Sequence, residues 1–393
     1  MQQMEVLEAG WRVLGASCVR DWQEALDGCG AHDFAHLAEF HQMAEASGQG
    51  SPRLYVLREG DCWIALPLLA RRLEEVEGLE EWGAGRLDLV SVNGYAGPVG
   101  SEGCSEAMIA RFQERLKRDV ESEGVVSVFS RLNPVLRQAH LVAGLGEVRW
   151  FGNTVAMELG IEPEAQWKGM RPTHRQRIRK LRKAGLECRE EAAGAGGDEA
   201  ARAALGEFIE VYLETMRRVG ARSEFFLGKR FVEEFFERLG DRAHLLSVRA
   251  KREDGGVGEM IAGSVFVESA GIVEYHLAGV RDAWVKSSAL KLVLDEARLL
   301  GWRFGARWLH LGGGAGSEDS LFEFKAGFSE HRFAVGGWSW VVDAEAYGEA
   351  VERAATAWAR HGLGPARAGY FPAYRSALPG VVEAGGVGAG GGL

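Results

Sequence analysis

The chain has 393 residues, 46% of them hydrophobic and 26% charged, with 54 glycines and a formal net charge of −10. That much apolar material excludes a disordered chain, and the length suits two domains, each able to bury a core. The acidic balance excludes a uniform nucleic-acid coat but leaves room for a local basic site.

In chain order, Trp22–Leu26 and Phe34–Ala46 are spaced as helices, with Asp33 as N-cap of the second. Leu54–Arg58 and Trp63–Leu69 form two strands around Glu59-Gly60-Asp61, a hairpin signal. Val90–Val99 is extended, Ala107–Glu121 amphipathic and helical, and Val125–Leu132 a buried strand closed by Asn133-Pro134. A strand at Thr154–Leu159, a basic helix near 172–184 and helices over Ala201–Val219 and Phe231–Leu239 follow. Then come strands Ala243–Arg249, Gly263–Glu268 and Gly271–Ala278, the helix Ala289–Leu300 and the strand Trp308–Leu311. A glycine loop, Gly312–Gly316, leads into a short helical turn at Phe322–Gly327 and a last strand at Gly337–Val342. Both halves run helix, strands, helix, strand, which predicts two similar α/β domains, 1–150 and 151–343. The remainder reads as a helix with a docked aromatic segment (344–380) and a disordered glycine-rich tail (381–393).

The five cysteines, Cys18, Cys29, Cys62, Cys104 and Cys188, are scattered without a CxxC pair, against a disulfide framework or zinc ribbon. Glu5 and Glu8 precede Arg12, unlike a signal peptide, and no apolar run approaches the ~18 residues of a membrane span. The expectation is a cytoplasmic protein without a membrane span.

Charge is segregated. Lys168, Arg171, Arg175, Arg177, Arg179, Lys180, Arg182 and Lys183 put eight positive charges and no acid into Lys168–Lys183, leaving the rest of the chain at −18. Pro172 suits a first helical turn, and Arg175, Arg179 and Arg182 share one face at 3.6 spacing. Like charges at that spacing weaken an isolated helix, so an anionic partner such as an RNA backbone accounts for them better than a merely solvated face.

At a strand end, the glycines of Gly312–Gly316 let backbone approach a ligand closely, without the Lys-Ser/Thr of a Walker loop. Lys325 follows among Phe322, Phe324 and Phe328. Either it is a desolvated functional lysine, or it snorkels from an aromatic core. His32-Asp-Phe-Ala-His36 with His41 mimics a zinc helix, but Asp33 as a cap and His36 as packing explain it better; no metal is expected. There is no GxSxG elbow and no Cys-His pair. The Gln/Arg-x-x-Gly-x-Gly/Ala loop that cradles coenzyme A pyrophosphate is also missing.

Arg175–Gly185, Tyr212–Gly220, Glu274–Gly279 and Leu309–Phe328 together resemble the C-terminal half of Fem-type proteins, the aminoacyl-tRNA-dependent transferases and their GNAT-fold relatives. Asp33–His41, Ala65–Leu69, Gly94–Pro98, Val128–Pro134 and Phe371–Arg375 are similar to the accompanying segments. The resemblance implies two tandem GNAT-like domains with a cleft between them, and transfer of an aminoacyl group from its tRNA ester to an amine. It further implies Phe324 and Lys325 as the catalytic pair and Arg218 as a substrate-contacting arginine. Tyr212, Tyr275, His276, Gly313 and Gly314 would line the substrate, and Arg171, Arg175, Arg179, Lys180, Arg182 and Lys183 would take the tRNA. Aminoacyl-tRNA is then a co-substrate and no cofactor is needed. The acceptor is an amine-bearing small molecule or peptide, from specialised metabolism or as a cell-wall precursor. The long coiled-coil insertion of some cell-wall relatives is missing. Two alternatives stand beside this reading: an acyl-CoA-dependent GNAT N-acyltransferase, and a non-catalytic module that binds RNA or another anion.

Overall fold

The computed structural model describes residues 10–193, 199–251, 256–314, 318–364 and 366–376. The tail expected at 381–393, residues 377–380 and Gly316 of the glycine loop lie outside the described residues. The chain divides into two compact units: one running to Phe151 and resuming at Ala334, the other Gly152–Phe333.

The first unit holds β1 (Trp11–Leu14), α1 (Val19–Cys29), α2 (Ala38–Ala46), β2 (Ser51–Glu59) and β3 (Cys62–Arg72). It continues through β4 (Leu87–Val90), β5 (Val99–Gly100), α3 (Glu106–Ser122) and β6 (Val125–Leu132). After β7 (Glu147–Glu158), which crosses the boundary, the second unit contains α4 (Pro163–Gly169), α5 (Pro172–Lys183) and β8 (Cys188–Ala193). Next come α6 (Glu199–Arg218), α7 (Lys229–Leu239), β9 (Ala243–Lys251), β10 (Val257–Ser269) and β11 (Ile272–Val280). The unit ends with α8 (Leu290–Arg303), β12 (Trp308–Gly312) and α9 (Ser320–Ala326), after which β13 (Arg332–Val341) and α10 (Ala344–Arg360) return to the first unit.

The two units use one topology. The first orders its strands β1-β2-β3-β4-β6-β13, with β5 off β3, and the second β8-β9-β10-β11-β12-β7. Each is an antiparallel run of four, then a parallel step (β4 to β6, β11 to β12), then a sixth antiparallel strand. A parallel step needs a crossover, and the amphipathic helices α3 and α8 supply it. Their inward faces, Met108, Phe112, Leu116 and Val120 on α3 and Leu292, Val293, Ala297 and Leu300 on α8, fill the two cores.

The last elements belong to the first unit, not to a second domain ending at 343 or to a separate appendage. Strand β13 pairs with β6 from Gly336↔Leu132 to Val341↔Ser127 and sends Trp338 and Trp340 into the first core. Helix α10 packs Ala346, Ala350, Ala354 and Trp358 against Leu73, Val76, Leu79 and Val126. Tyr374, fully buried, shares a 2.7 Å hydrogen bond with the Ser127 hydroxyl. Beside it, buried Asp88 accepts from Arg71 at 2.6 Å and Arg375 at 2.5 Å.

The zinc-like histidines are spent on backbone. Asp33 caps a 3-10 turn, Phe34–His36, rather than an α-helix, so His32 and His36 do not share a helical face. His36 accepts from Asp33 N and donates to Gly97 O at 3.1 Å, while His32 and His41 reach Gly30 O and Leu37 O at 2.9 Å. Burial holds His32 and His41 neutral, each lowered to about 4. Among the described residues no cluster of three or more His, Cys, Asp or Glu is arranged to hold a metal. No described helix is long and apolar enough to cross a membrane.

Candidate active site

The site grows out of a split between two parallel strands. β11 and β12 pair over only three rungs, Ile272↔Trp308, Val273↔Leu309 and Glu274↔His310, although β11 runs on to Val280. Beyond the last rung the backbone is no longer shared between them. Gly312 takes φ +73, where side-chain residues are strained. Its missing Cβ would stand 3.3 Å from the Lys325 ammonium.

Asp319 starts α9 by accepting from the Leu321 and Phe322 amides at 3.0 and 2.9 Å. One turn later Lys325 points inward. It is 1% exposed and donates to Gly313 O at 2.7 Å, with its Nζ 5.7 Å from the centre of the Tyr275 ring. A snorkelling lysine reaches water, and Lys325 does not, so its head is desolvated. Burial lowers its pKa to about 8, with Asp319 and Glu274 partly restoring the charged form. An ammonium has three N–H groups, and Gly313 takes one.

Sequence reasoning missed the neighbouring pair. Glu274 and His310, buried on the last shared rung, meet at 2.7 Å between Oε1 and Nδ1. Their signal was available: a carboxylate and an imidazole inside otherwise apolar strands require each other. Together Lys325, Glu274, His310, Tyr275 and the Gly312–Gly313 backbone make a dry, polar centre that can hold and move a proton or stabilise a developing negative charge.

The other expected site residues separate. Phe324 does not pack over the Lys325 head; its ring lies 6.0 Å from His174, 5.6 Å from Phe328 and 6.0 Å from the Lys291 ammonium. Tyr275 and His276 do not face one way. A register shift opposite Val265/Phe266 leaves His276 between rungs, and it stacks on Phe235 of α7 at 5.1 Å. Tyr212 is buried on α6, where its hydroxyl donates to Phe225 O at 2.9 Å. Gly279 lets the α6 backbone approach, since a Cβ there would fall 2.8 Å from Tyr212 Cα. Arg218 closes the end of β11, donating to Val280 O at 3.0 Å and pairing with Asp282. Gly314 follows Gly313 in the loop, half-buried.

Helix α5 buries His174, Ile178 and Leu181 and turns its cations outward, but not all are available to a partner. Arg182 pairs at 2.7 Å with fully buried Asp295, which Arg298 holds from its other oxygen. Arg171 pairs with Glu323 at 2.8 Å, and the Arg179 guanidinium lies 5.4 Å from the Trp167 ring. Lys180 and Lys183 are exposed and make no ion pair among the described residues, while Arg175 is half-buried. The uniform basic face read from spacing is therefore partly internal wiring. Arg182→Glu should cost about 2 kcal/mol or more in urea unfolding, because it sets a carboxylate against buried Asp295; unchanged stability would refute that pairing.

Residues 168–326 match the Acetyltransferase (GNAT) domain. Among solved structures the chain is similar to FemX, at TM-score 0.64 and 11% identity, covering 83% of this chain and 97% of that one. It is also similar to the C-terminal domain of a putative lysylphosphatidylglycerol synthetase from Agrobacterium fabrum, at TM-score 0.50 and 16% identity, covering 85% and 96%. No curated protein matches the sequence significantly. The α/β, tandem GNAT-like fold is thus shown, and the match to an acetyltransferase domain lies within the second unit, over residues 168–326.

Proposed function

We propose that the protein transfers an aminoacyl group from aminoacyl-tRNA to the amine of a small molecule or peptide, forming an amide bond. The observation that carries this reading is Lys325, buried at the split of β11 and β12 with its ammonium on Gly313 O. The Phe-Lys pair of Fem-type enzymes corresponds to Phe324-Lys325, and the likeness to FemX supports the same chemistry here.

The tRNA ester is already activated, so alignment and charge stabilisation supply most of the catalysis. The acceptor nitrogen attacks the ester carbonyl carbon, a C–N bond forms and the C–O bond to ribose breaks. The amine gives up a proton and the ribose oxygen takes one. Lys325 stabilises the oxyanion or the leaving oxygen, and with its pKa near 8 it can lend that oxygen a proton. Burial of the site limits hydrolysis of the ester. The exposed Lys180 and Lys183, with Arg175 and Arg179, face the tRNA phosphates.

The GNAT domain match favours one second reading, an acyl-CoA donor at the same lysine. Incubation with a mixed pool of charged tRNAs and candidate amines, read by mass spectrometry, separates the two. New amides with aminoacyl masses support the proposal. Thermal stabilisation by acetyl-CoA with no product from charged tRNA replaces it with the second reading. Failure of every donor, with RNA still bound, points to a non-catalytic module. In parallel, Lys180→Glu with Lys183→Glu should leave stability within about 0.5 kcal/mol and flatten the salt dependence of tRNA binding; an unaltered slope removes α5 from the tRNA contact.

A further inference from the structure

We propose that His174 is a positioning residue for Lys325, holding the turn that carries the lysine by a hydrogen bond to the Phe324 carbonyl. The proposal deepens the transfer reading and rests on it for the importance of Lys325, but the contact stands on its own geometry.

His174 sits in the first turn of α5, 6% exposed. Its Nε2 lies 3.0 Å from Phe324 O, and its Nδ1 lies 3.1 Å from the Lys291 ammonium on α8. A carbonyl can only accept and an ammonium can only donate, so the ring is neutral with its proton on Nε2. Both nitrogens are used and the tautomer is set from outside. Burial, Lys291 and Arg171 all disfavour a charged ring, with only the Phe324 carbonyl acting the other way. Glu323, the acid of α9 at this junction, is occupied by Arg171.

Space for the ring was cleared by the chain itself. A Cβ on Gly327 would fall 2.2 Å from His174 Nε2, so the imidazole occupies the place of the side chain that residue 327 lacks. The ring also meets Phe328 edge-on at 4.8 Å. The Arg171 amide donates to Gly327 O at 2.9 Å, so α5 grips the end of α9 at two successive points. Lys325 lies between Phe324 and Gly327 on that turn. A shift of the turn would carry the Lys325 backbone, and with it the ammonium on Gly313 O, and His174 pins the turn at the residue before it.

Two variants divide hydrogen bonding from packing. His174→Gln keeps an N–H donor the same number of bonds from Cβ, whereas His174→Phe keeps the ring and removes the donor. The test follows the Lys325 Nζ resonance through a pH titration in lysine-labelled protein, and kcat and KM where transfer is measurable. With His174→Phe the titration midpoint should move, and kcat should fall about tenfold with KM changed less than about threefold. His174→Gln should recover most of both. A midpoint and kcat unchanged in His174→Phe overturn the proposal, as does equal loss in both variants that tracks their melting temperatures. Should His174→Phe fold poorly, Lys291→Met, which frees Nδ1, must move the same resonance, and no movement overturns the proposal. A moved midpoint restored by His174→Gln supports the positioning role even if no donor yields product, an outcome that would sink the transfer reading alone.

Discussion

Lys325→Met should lower the rate of acyl transfer by about two to three orders of magnitude and leave the fold intact. Methionine fills the lysine channel and removes only the cation. The pH profile provides a second readout. The buried ammonium ionises at about 8, so activity that depends on it falls as pH rises through that value. Stability moves the other way. Below about 8 both folded and unfolded chains hold the proton, and the burial cost is fully present. Between about 8 and 10.5 the unfolded chain keeps a proton that the folded one has released, so stability climbs with pH. That interval corresponds to roughly 3 kcal/mol. Lys325→Met lacks the climb. Full turnover in the variant would end the catalytic assignment, and an identical stability profile would show that the lysine is not desolvated.

Asp88→Ala should cost the first unit about 3–5 kcal/mol in urea unfolding. Asp88 is 0% exposed and lies between two guanidiniums, Arg71 across the β3–β4 ladder and Arg375 from the C-terminal segment. Its loss leaves two half-buried guanidiniums without the carboxylate they share. Tyr374→Phe, which removes only a hydroxyl bonded to Ser127, should cost about 1 kcal/mol and serves as the control. Protease cleavage near residues 366–376 should rise in Asp88→Ala first. A loss under about 1 kcal/mol would mean that the segment is held by its aromatics alone.

Much of the architecture was legible because strong periodicity survives tertiary context. Helices near α3, α6 and α8 came from apolar spacing, the helix near α5 from Pro172 and its arginine face, and the β2–β3 hairpin from its Glu59-Gly60-Asp61 turn. Lys325 came from the Fem-type resemblance, since its setting among phenylalanines left two readings open. What escaped was written in pairs far apart in sequence. Glu274 and His310 are 36 residues apart and become one unit only when β11 and β12 lie parallel. The commitment of Arg182 to Asp295 depends on α5 meeting α8. Spacing on one helix cannot show which cations a neighbouring helix will consume. β1 is only four residues long, and β8 carries Arg189, Glu190 and Glu191 in its middle, so neither signals a strand. The bulge that turns His276 away from Tyr275 is a property of two strands, not of one.

Strand β13, from Ala334 on, and Tyr374 complete the first unit, whereas among the described residues the second unit is the unbroken stretch Gly152–Phe333. During synthesis from the N-terminus, the second unit emerges whole before the first has received its sixth strand. The usual vectorial order is thereby reversed: the later-encoded unit finishes first, and the earlier one waits with Leu132 and its neighbours unpaired on one edge. Interrupted translation after Phe333 would therefore release a finished second unit joined to an unfinished, aggregation-prone first one.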